Sequence, residues 1–225
     1  MNNKPALILY FIACAIFMLA VVMGSAELML ISKPIIAPSV FFYYMQEKKQ
    51  RLNWIYVSII SLFFISDMIV LIDQENFFLI VLSLFLLGYL LFFKGILDDF
   101  IRIRFHFVKK THLLVLLISV FLLVFLLLSM LDIVVEFNSD YLWLFVIYGL
   151  LLALIGFVSA WNYNMFPSRY TTFMLLTGLS FIISDVFYVL KKDSLEIEVF
   201  DYFNNFTQVL SYYFLTRYFL LKKNR

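Results

Sequence analysis

Hydrophobic positions run through this chain in long stretches, each near the length a helix needs to cross roughly 30 Å of bilayer hydrocarbon. Polar and charged positions part them into eight predicted spans, at about 6–24, 30–46, 53–72, 77–97, 111–131, 141–161, 169–190 and 200–221. The pattern predicts an all-α polytopic membrane protein, one integral membrane domain over residues 1–225 with no room for a soluble domain. The first run opens after Lys4 and ends in Gly24-Ser25-Ala26, as a signal peptide can. Its length of about 18 residues exceeds the usual 7–15 of a signal h-region, so it reads as a retained helix.

Composition agrees. Of the 225 residues, 64% are hydrophobic and 14% charged, against roughly 45–50% and 25% in a soluble domain. The formal charge of +2 gives no ground for a nucleic-acid partner. With Cys14 as the single cysteine, no intramolecular disulfide can form.

Charge between the spans sets the expected orientation. With eight spans, both termini share a side with the loops after the second, fourth and sixth. That side collects thirteen Lys and Arg residues, among them Lys4, Lys48, Arg51, Arg102, Lys110 and Lys222, and the other side holds only Lys191 and Lys192. The positive-inside rule therefore places both termini in the cytoplasm. The expected location is the cytoplasmic (inner) membrane of a bacterium.

Inside the apolar runs a short signature occurs twice, as Phe63-Phe64-Ile65-Ser66-Asp67 and Phe181-Ile182-Ile183-Ser184-Asp185. An Asp near the centre of a membrane helix costs roughly 2.5–3.5 kcal/mol, so it usually faces a cavity or a partner and has a function. The two signatures fall on the third and seventh spans, which run in the same direction. That offset predicts two parallel four-helix halves, an internal repeat of 1–110 and 111–225.

Asp67, Asp185 and Lys33 each lie six positions from a charged residue at the outer boundary, hence about 9 Å below it along a helix. The three ionisable groups are expected to share one layer in the outer half of the membrane. An amine between two carboxyls can neutralise one and leave the other protonated, the arrangement acid–base chemistry needs. The same three residues could instead lock three helices together without catalysis. Pro34 and Pro38 beside Lys33 lack N–H groups and predict a disrupted helical ladder there, tolerated at membrane depth where backbone lines a cavity.

Asn204, Asn205 and Gln208 enter the last span from the outer side, where they could reach the carboxyl layer or cap the helix. Tyr89, Tyr188, Tyr212 and Tyr213 are candidate pocket residues, and Ser66 and Ser184 adjoin the two carboxyls. Arg217 reads as a snorkelling cation at the inner end of its span. His106 and His112 lie in the basic inner loop with no second ligand at helical spacing, so no metal site is expected. No Gly-rich phosphate loop, G-x-S-x-G elbow or H-E-x-x-H occurs, so any catalysis must use the intramembrane carboxyls, and no cofactor is called for.

In this set the chain resembles the YhhN-like family of membrane proteins, which includes the lysoplasmalogenases. The resemblance lies in Lys33-Pro34 opening the second span, Ser66-Asp67 in the third, Ser184-Asp185 in the seventh with Gly178 upstream, and Tyr213 in the last. The family's polar position after that Tyr falls on Arg217, and its fourth-span His and Tyr fall on Tyr89 and Phe92. The resemblance implies hydrolysis of the vinyl-ether bond of a lysoplasmalogen-like membrane lipid, yielding a fatty aldehyde and a glycerophospho-alcohol. It makes Asp67, Asp185 and Lys33 the catalytic candidates, and Ser66, Ser184, Tyr89, Asn205, Gln208, Tyr212 and Tyr213 the candidate substrate contacts. A proton-coupled carrier using the same Asp/Lys layer fits the residues too, as does a catalytically silent scaffold.

Overall fold

The structure, a computed structural model, describes residues 4–48, 51–73, 76–102, 110–137, 142–191 and 198–222. They form eight helices and, among the described residues, no strand. The helices are α1 (Pro5–Met23), α2 (Ala26–Glu47), α3 (Trp54–Asp73), α4 (Phe78–Arg102), α5 (Lys110–Phe137), α6 (Leu142–Met165), α7 (Arg169–Val189) and α8 (Glu198–Leu221). This is the all-α polytopic architecture that the apolar runs predict.

Several helices outrun their predicted spans because membrane helices carry charges into the interface. Glu27 lies in the first turn of α2, α5 extends through Asp132 and Glu136, and Glu198 lies in the first turn of α8, all four outside the predicted spans. Among the described residues seven helices, α1 to α7, are long and apolar enough to cross a membrane. α8 has comparable length, 24 residues, but Asp201, Asn204, Asn205, Gln208 and Arg217 lower its hydropathy.

Which side chains the helices hide fits lipid as the surrounding solvent. α1 buries Tyr10, Ala13, Phe17 and Ala20 and exposes Ile8, Ile12, Ile16 and Leu19. Small and polar residues go inward, where they allow close approach and hydrogen bonding, and aliphatics go outward. The extreme case is α5, whose Leu113–Val135 stretch is 6% buried and has the highest mean hydropathy of the spans, 3.2.

The helices group into two compact units. The first holds residues Met1–Phe92 and Tyr212–Arg225, the second Phe93–Ser211. In the first, α1 packs on α2 and α2 on α3. The α1–α2 connection is a tight turn: Gly24, at φ 63°, ends α1 in the left-handed conformation that glycine tolerates. Ser25 donates its N–H to the Ala20 carbonyl at 2.9 Å and caps α2 by accepting from Leu28. α2 runs unbroken through Pro34 and Pro38. The expected disruption is confined to the missing donors, which leave the Leu30 and Pro34 carbonyls without their usual helical partners.

In the second unit α5 packs on α6 and α6 on α7. The Ser168–Thr171 capping box starts α7, with the Ser168 N–H donating to Thr171 Oγ1 at 3.0 Å and the Thr171 N–H to Ser168 Oγ at 3.2 Å. At Gly178 a Cβ would meet Ile155 and Ser159 at 3.2 Å, so the missing side chain lets α7 seat closely on α6.

Candidate functional site

Periodicity places the charged groups of the first unit on buried faces. α3 buries Tyr56, Ile59, Ile60, Phe63, Ser66 and Asp67, a single stripe at helical spacing. α2 likewise buries Lys33 with Ile36, Ala37 and Val40. Lys33 is 7% exposed and Asp67 3%, and Lys33 Nζ lies 3.3 Å from Asp67 Oδ1. The Tyr212 hydroxyl on α8 donates to the carboxylate's other oxygen, Oδ2. Three helices thus meet at one carboxylate, with a cation on one oxygen and a phenol on the other.

Aromatic rings enclose this cluster. The Lys33 ammonium lies 5.5 Å from the centre of the Phe17 ring, a favourable cation–π placement. Phe63 stacks on Tyr212 at 5.9 Å, and Tyr89 meets Phe63 edge-on at 5.7 Å. Ions removed from water this completely cost several kcal/mol each unless paired and hydrogen-bonded, and here both conditions hold. Ser66 Oγ, fully buried beside Asp67, has no hydrogen-bond partner among the described residues.

Tyr89 touches the ring wall through Phe63. Tyr213 turns to α1, stacking on Tyr10 at 6.4 Å and lying 5.6 Å from Phe11. Arg217 Nη1 donates to the Tyr43 hydroxyl at 3.0 Å. At the same end of the unit Lys4 pairs with Glu47 at 3.0 Å, and that hydrogen bond raises the Lys4 pKa above its ordinary value. Nearby, partial burial lowers the pKa of Lys48, whose ammonium donates to the Phe219 carbonyl at 3.3 Å.

The second unit holds the other carboxyl. Asp185 is half-buried on α7, and the Tyr148 hydroxyl on α6 donates to its Oδ2 at 3.1 Å. Asp185 lines a cavity of about 50 Å³ whose other walls are apolar, including Leu123, Leu127, Leu152 and Ile182. Ser184 Oγ donates to Asn204 Oδ1 at 2.8 Å. Asn205 turns back one helical turn and donates to the Asp201 carbonyl and carboxylate at 2.9 and 3.0 Å. Gln208 is half-buried, and its carbonyl accepts from Ser211 at 2.6 Å.

Of the residues the sequence nominated, Lys33, Asp67, Ser66 and Tyr212 come together in the first unit. Asp185, Ser184, Asn205 and Gln208 belong to the second. Tyr148, the partner of Asp185, went unremarked in the sequence. Its signal is periodicity, since it shares the buried face of α6 with Leu144, Leu151, Leu152 and Ile155, where a hydroxyl needs a partner. No group of three or more His, Cys, Asp or Glu side chains that could hold a metal occurs among the described residues, and His106 lies outside them. No protein-family model, curated protein or solved structure matches the chain.

Proposed function

We propose that this protein is an intramembrane lipid hydrolase of lysoplasmalogenase type, working by acid–base chemistry at Asp67. The observation that carries the proposal is the Asp67 carboxylate held inside a membrane helix bundle between Lys33 and the Tyr212 hydroxyl. An ionised pair is costly at such depth, and intramembrane ionisable residues usually mark a functional site. The resemblance of Lys33-Pro34, Ser66-Asp67 and Ser184-Asp185 to the YhhN-like pattern supplies the substrate class.

Vinyl-ether hydrolysis adds a proton to the outer alkenyl carbon, forming an oxocarbenium ion. Water adds to the carbon bearing the ether oxygen and gives up a proton. The hemiacetal then collapses to an aldehyde and an alcohol, so one water is consumed and no redox partner is needed. In its protonated form Asp67 is suited to deliver that proton, and as the resulting carboxylate to face the positive charge and take a proton back from the attacking water. Lys33 and Tyr212 hold it in place, and Ser66 offers a buried hydroxyl beside it. Asp185, hydrogen-bonded by Tyr148, is the second carboxyl that the resemblance nominates, and its own substitution tests it.

Membrane placement belongs to the same proposal. The loop-charge bias supports cytoplasmic termini and eight crossings in a bacterial inner membrane. The repeated Ser-Asp signature, with α1–α2–α3 and α5–α6–α7 packed in the same succession, supports duplication of a four-helix half. The test is direct: full-length protein in lipid nanodiscs, given a lysoplasmalogen, should release free aldehyde. No aldehyde above a protein-free control would overturn the reading.

A proton-coupled carrier is the second reading. What favours it is Asp185 itself, a half-buried carboxyl lining a small cavity of roughly 50 Å³, because intramembrane carboxyls mark proton relays as well as reaction centres. Proton flux driven by a solute gradient in liposomes, without aldehyde release, would select it.

A further inference from the structure

Cations gather at the end of the first unit where α1 begins and where α2 and α8 stop. Among the described residues Lys4, Lys48, Arg51, Arg217 and Lys222 lie there, and Glu47 is the acid that accompanies them. Lys4 is neutralised by Glu47 at 3.0 Å. Arg217 turns inward to the Tyr43 hydroxyl.

Lys48, Arg51 and Lys222 rim a cluster of rings. The Tyr44 ring lies 4.1 Å from that of Tyr56, and Tyr56 lies 5.5 Å from Phe219. The Lys48 ammonium is 5.5 Å from the centre of the Tyr44 ring and donates to the Phe219 carbonyl at 3.3 Å. The Lys222 ammonium is 6.0 Å from the centre of the Phe219 ring and donates to the Tyr218 hydroxyl at 3.2 Å. The segment that carries Arg51 is tied to the same cluster, because the Asn53 N–H donates to the Tyr44 hydroxyl at 3.2 Å. Carbonyls at the end of a helix attract cations, which explains where Lys48 points but leaves its charge without a counter-ion. An ammonium has three donors, the carbonyl takes one, and among the described residues no carboxylate pairs with Lys48. Lys48 is half-buried, so an anion beside it would be screened less than in bulk water.

Next to these cations the surface turns apolar. Met45, 46% exposed, precedes Lys48 by one helical turn, and Phe42, 55% exposed, lies one turn further back on the same face of α2. Trp54, 75% exposed, follows Arg51 at the start of α3. Exposed Phe and Met on a membrane helix meet acyl chains, and Trp favours the headgroup level. A soluble anion would use the cations alone, whereas a lipid uses both surfaces. We propose that Lys48, Arg51 and Lys222 bind the phosphate of an anionic phospholipid whose chains lie along Phe42 and Met45. Charge selects the headgroup: a zwitterionic lipid would bring its own ammonium up to three cations. The site is independent of any chemistry at Asp67, and no bond is made or broken in it.

The experiment uses full-length protein, delipidated in detergent and titrated with phosphatidylglycerol, with bound lipid counted by native mass spectrometry. Binding should saturate, and phosphatidylcholine with the same chains should bind roughly 10-fold more weakly or worse. Lys48→Gln and Lys222→Gln should each weaken phosphatidylglycerol binding roughly fivefold, the usual worth of one basic side chain at an anionic headgroup. Their unfolding temperatures in lipid-free detergent should match the parent. Lys4→Gln removes the same charge from the same end, but Lys4 already has Glu47, so this variant should bind like the parent. Equal binding of the two lipids by the parent protein would overturn the proposal. So would an equal loss in all three variants, the mark of net charge and not of a site. Soluble glycerol phosphate at the lipid's concentration should displace nothing, and displacement would overturn the assignment to a lipid.

Discussion

Lys33 on α2 and Asp67 on α3 form a 3.3 Å ion pair inside the first unit, both almost wholly removed from solvent. Removing either partner strands the other charge. Lys33→Met and Asp67→Asn should each lower stability by about 3–5 kcal/mol, while the double variant should cost clearly less than their sum. Unfolding in detergent checks this, and strict additivity would mean the two side chains are not coupled.

Catalysis should follow Asp67 and its phenol. Asp67→Asn and Asp185→Asn should each reduce aldehyde release about 10²–10⁴-fold, because an amide keeps the shape but cannot exchange the proton. Tyr212→Phe should reduce it as well, while Tyr213→Phe, whose ring packs on α1, should leave it near the parent. Lys33→Met should move the pH–rate profile as well as lower its maximum. Activity in both Asn variants equal to the parent would make the carboxyls structural.

Gly88 should be intolerant of any side chain. A Cβ there would overlap the Phe63 ring, and Phe63 in turn stacks on Tyr212. Gly88→Ala should cost about 1–3 kcal/mol through overpacking and impair activity by disturbing the phenol on Asp67. Gly156→Ala meets the branch ends of Ile182 and Leu123 at 2.8 and 3.0 Å, which can swing aside, so its cost should be smaller. Paired melting and aldehyde assays separate the two.

Orientation is open to labelling. In a Cys14→Ala background, Asn138→Cys should react with an impermeant thiol reagent from outside the cell, and Phe107→Cys only after the membrane is opened. The opposite pattern would invert the assigned topology.

The helices were legible because a bilayer demands long apolar runs, and a carboxylate within one is conspicuous. Lys33 and Asp67 stood out for that reason. Their phenol partner did not: with 14 tyrosines in the chain, nothing local distinguishes Tyr212, which meets Asp67, from Tyr213, which turns away. Adjacent positions on a helix face about 100° apart, and only packing decides which one points inward. The same holds for Asn204 and Asn205, of which one accepts from Ser184 and the other bonds within its own turn. Tyr56 and Thr216 meet across 160 positions of sequence, a pairing no local pattern encodes. The helices run past the predicted spans to Glu27 and Glu136 because loop charge marks a side of the membrane and not the residue at which a helix stops.

The polar character of α8 bears on how the chain is made. α5 is apolar enough to leave the translocon for lipid unaided. α8 is synthesised after α1 to α7, and its Tyr212, Thr216 and Arg217 find their partners on Asp67, Tyr56 and Tyr43, all on helices made long before it. Its partitioning is then a folding step as much as an insertion step. A defect in α2 or α3 would surface only once α8 is made, as a nascent chain whose α8 fails to integrate.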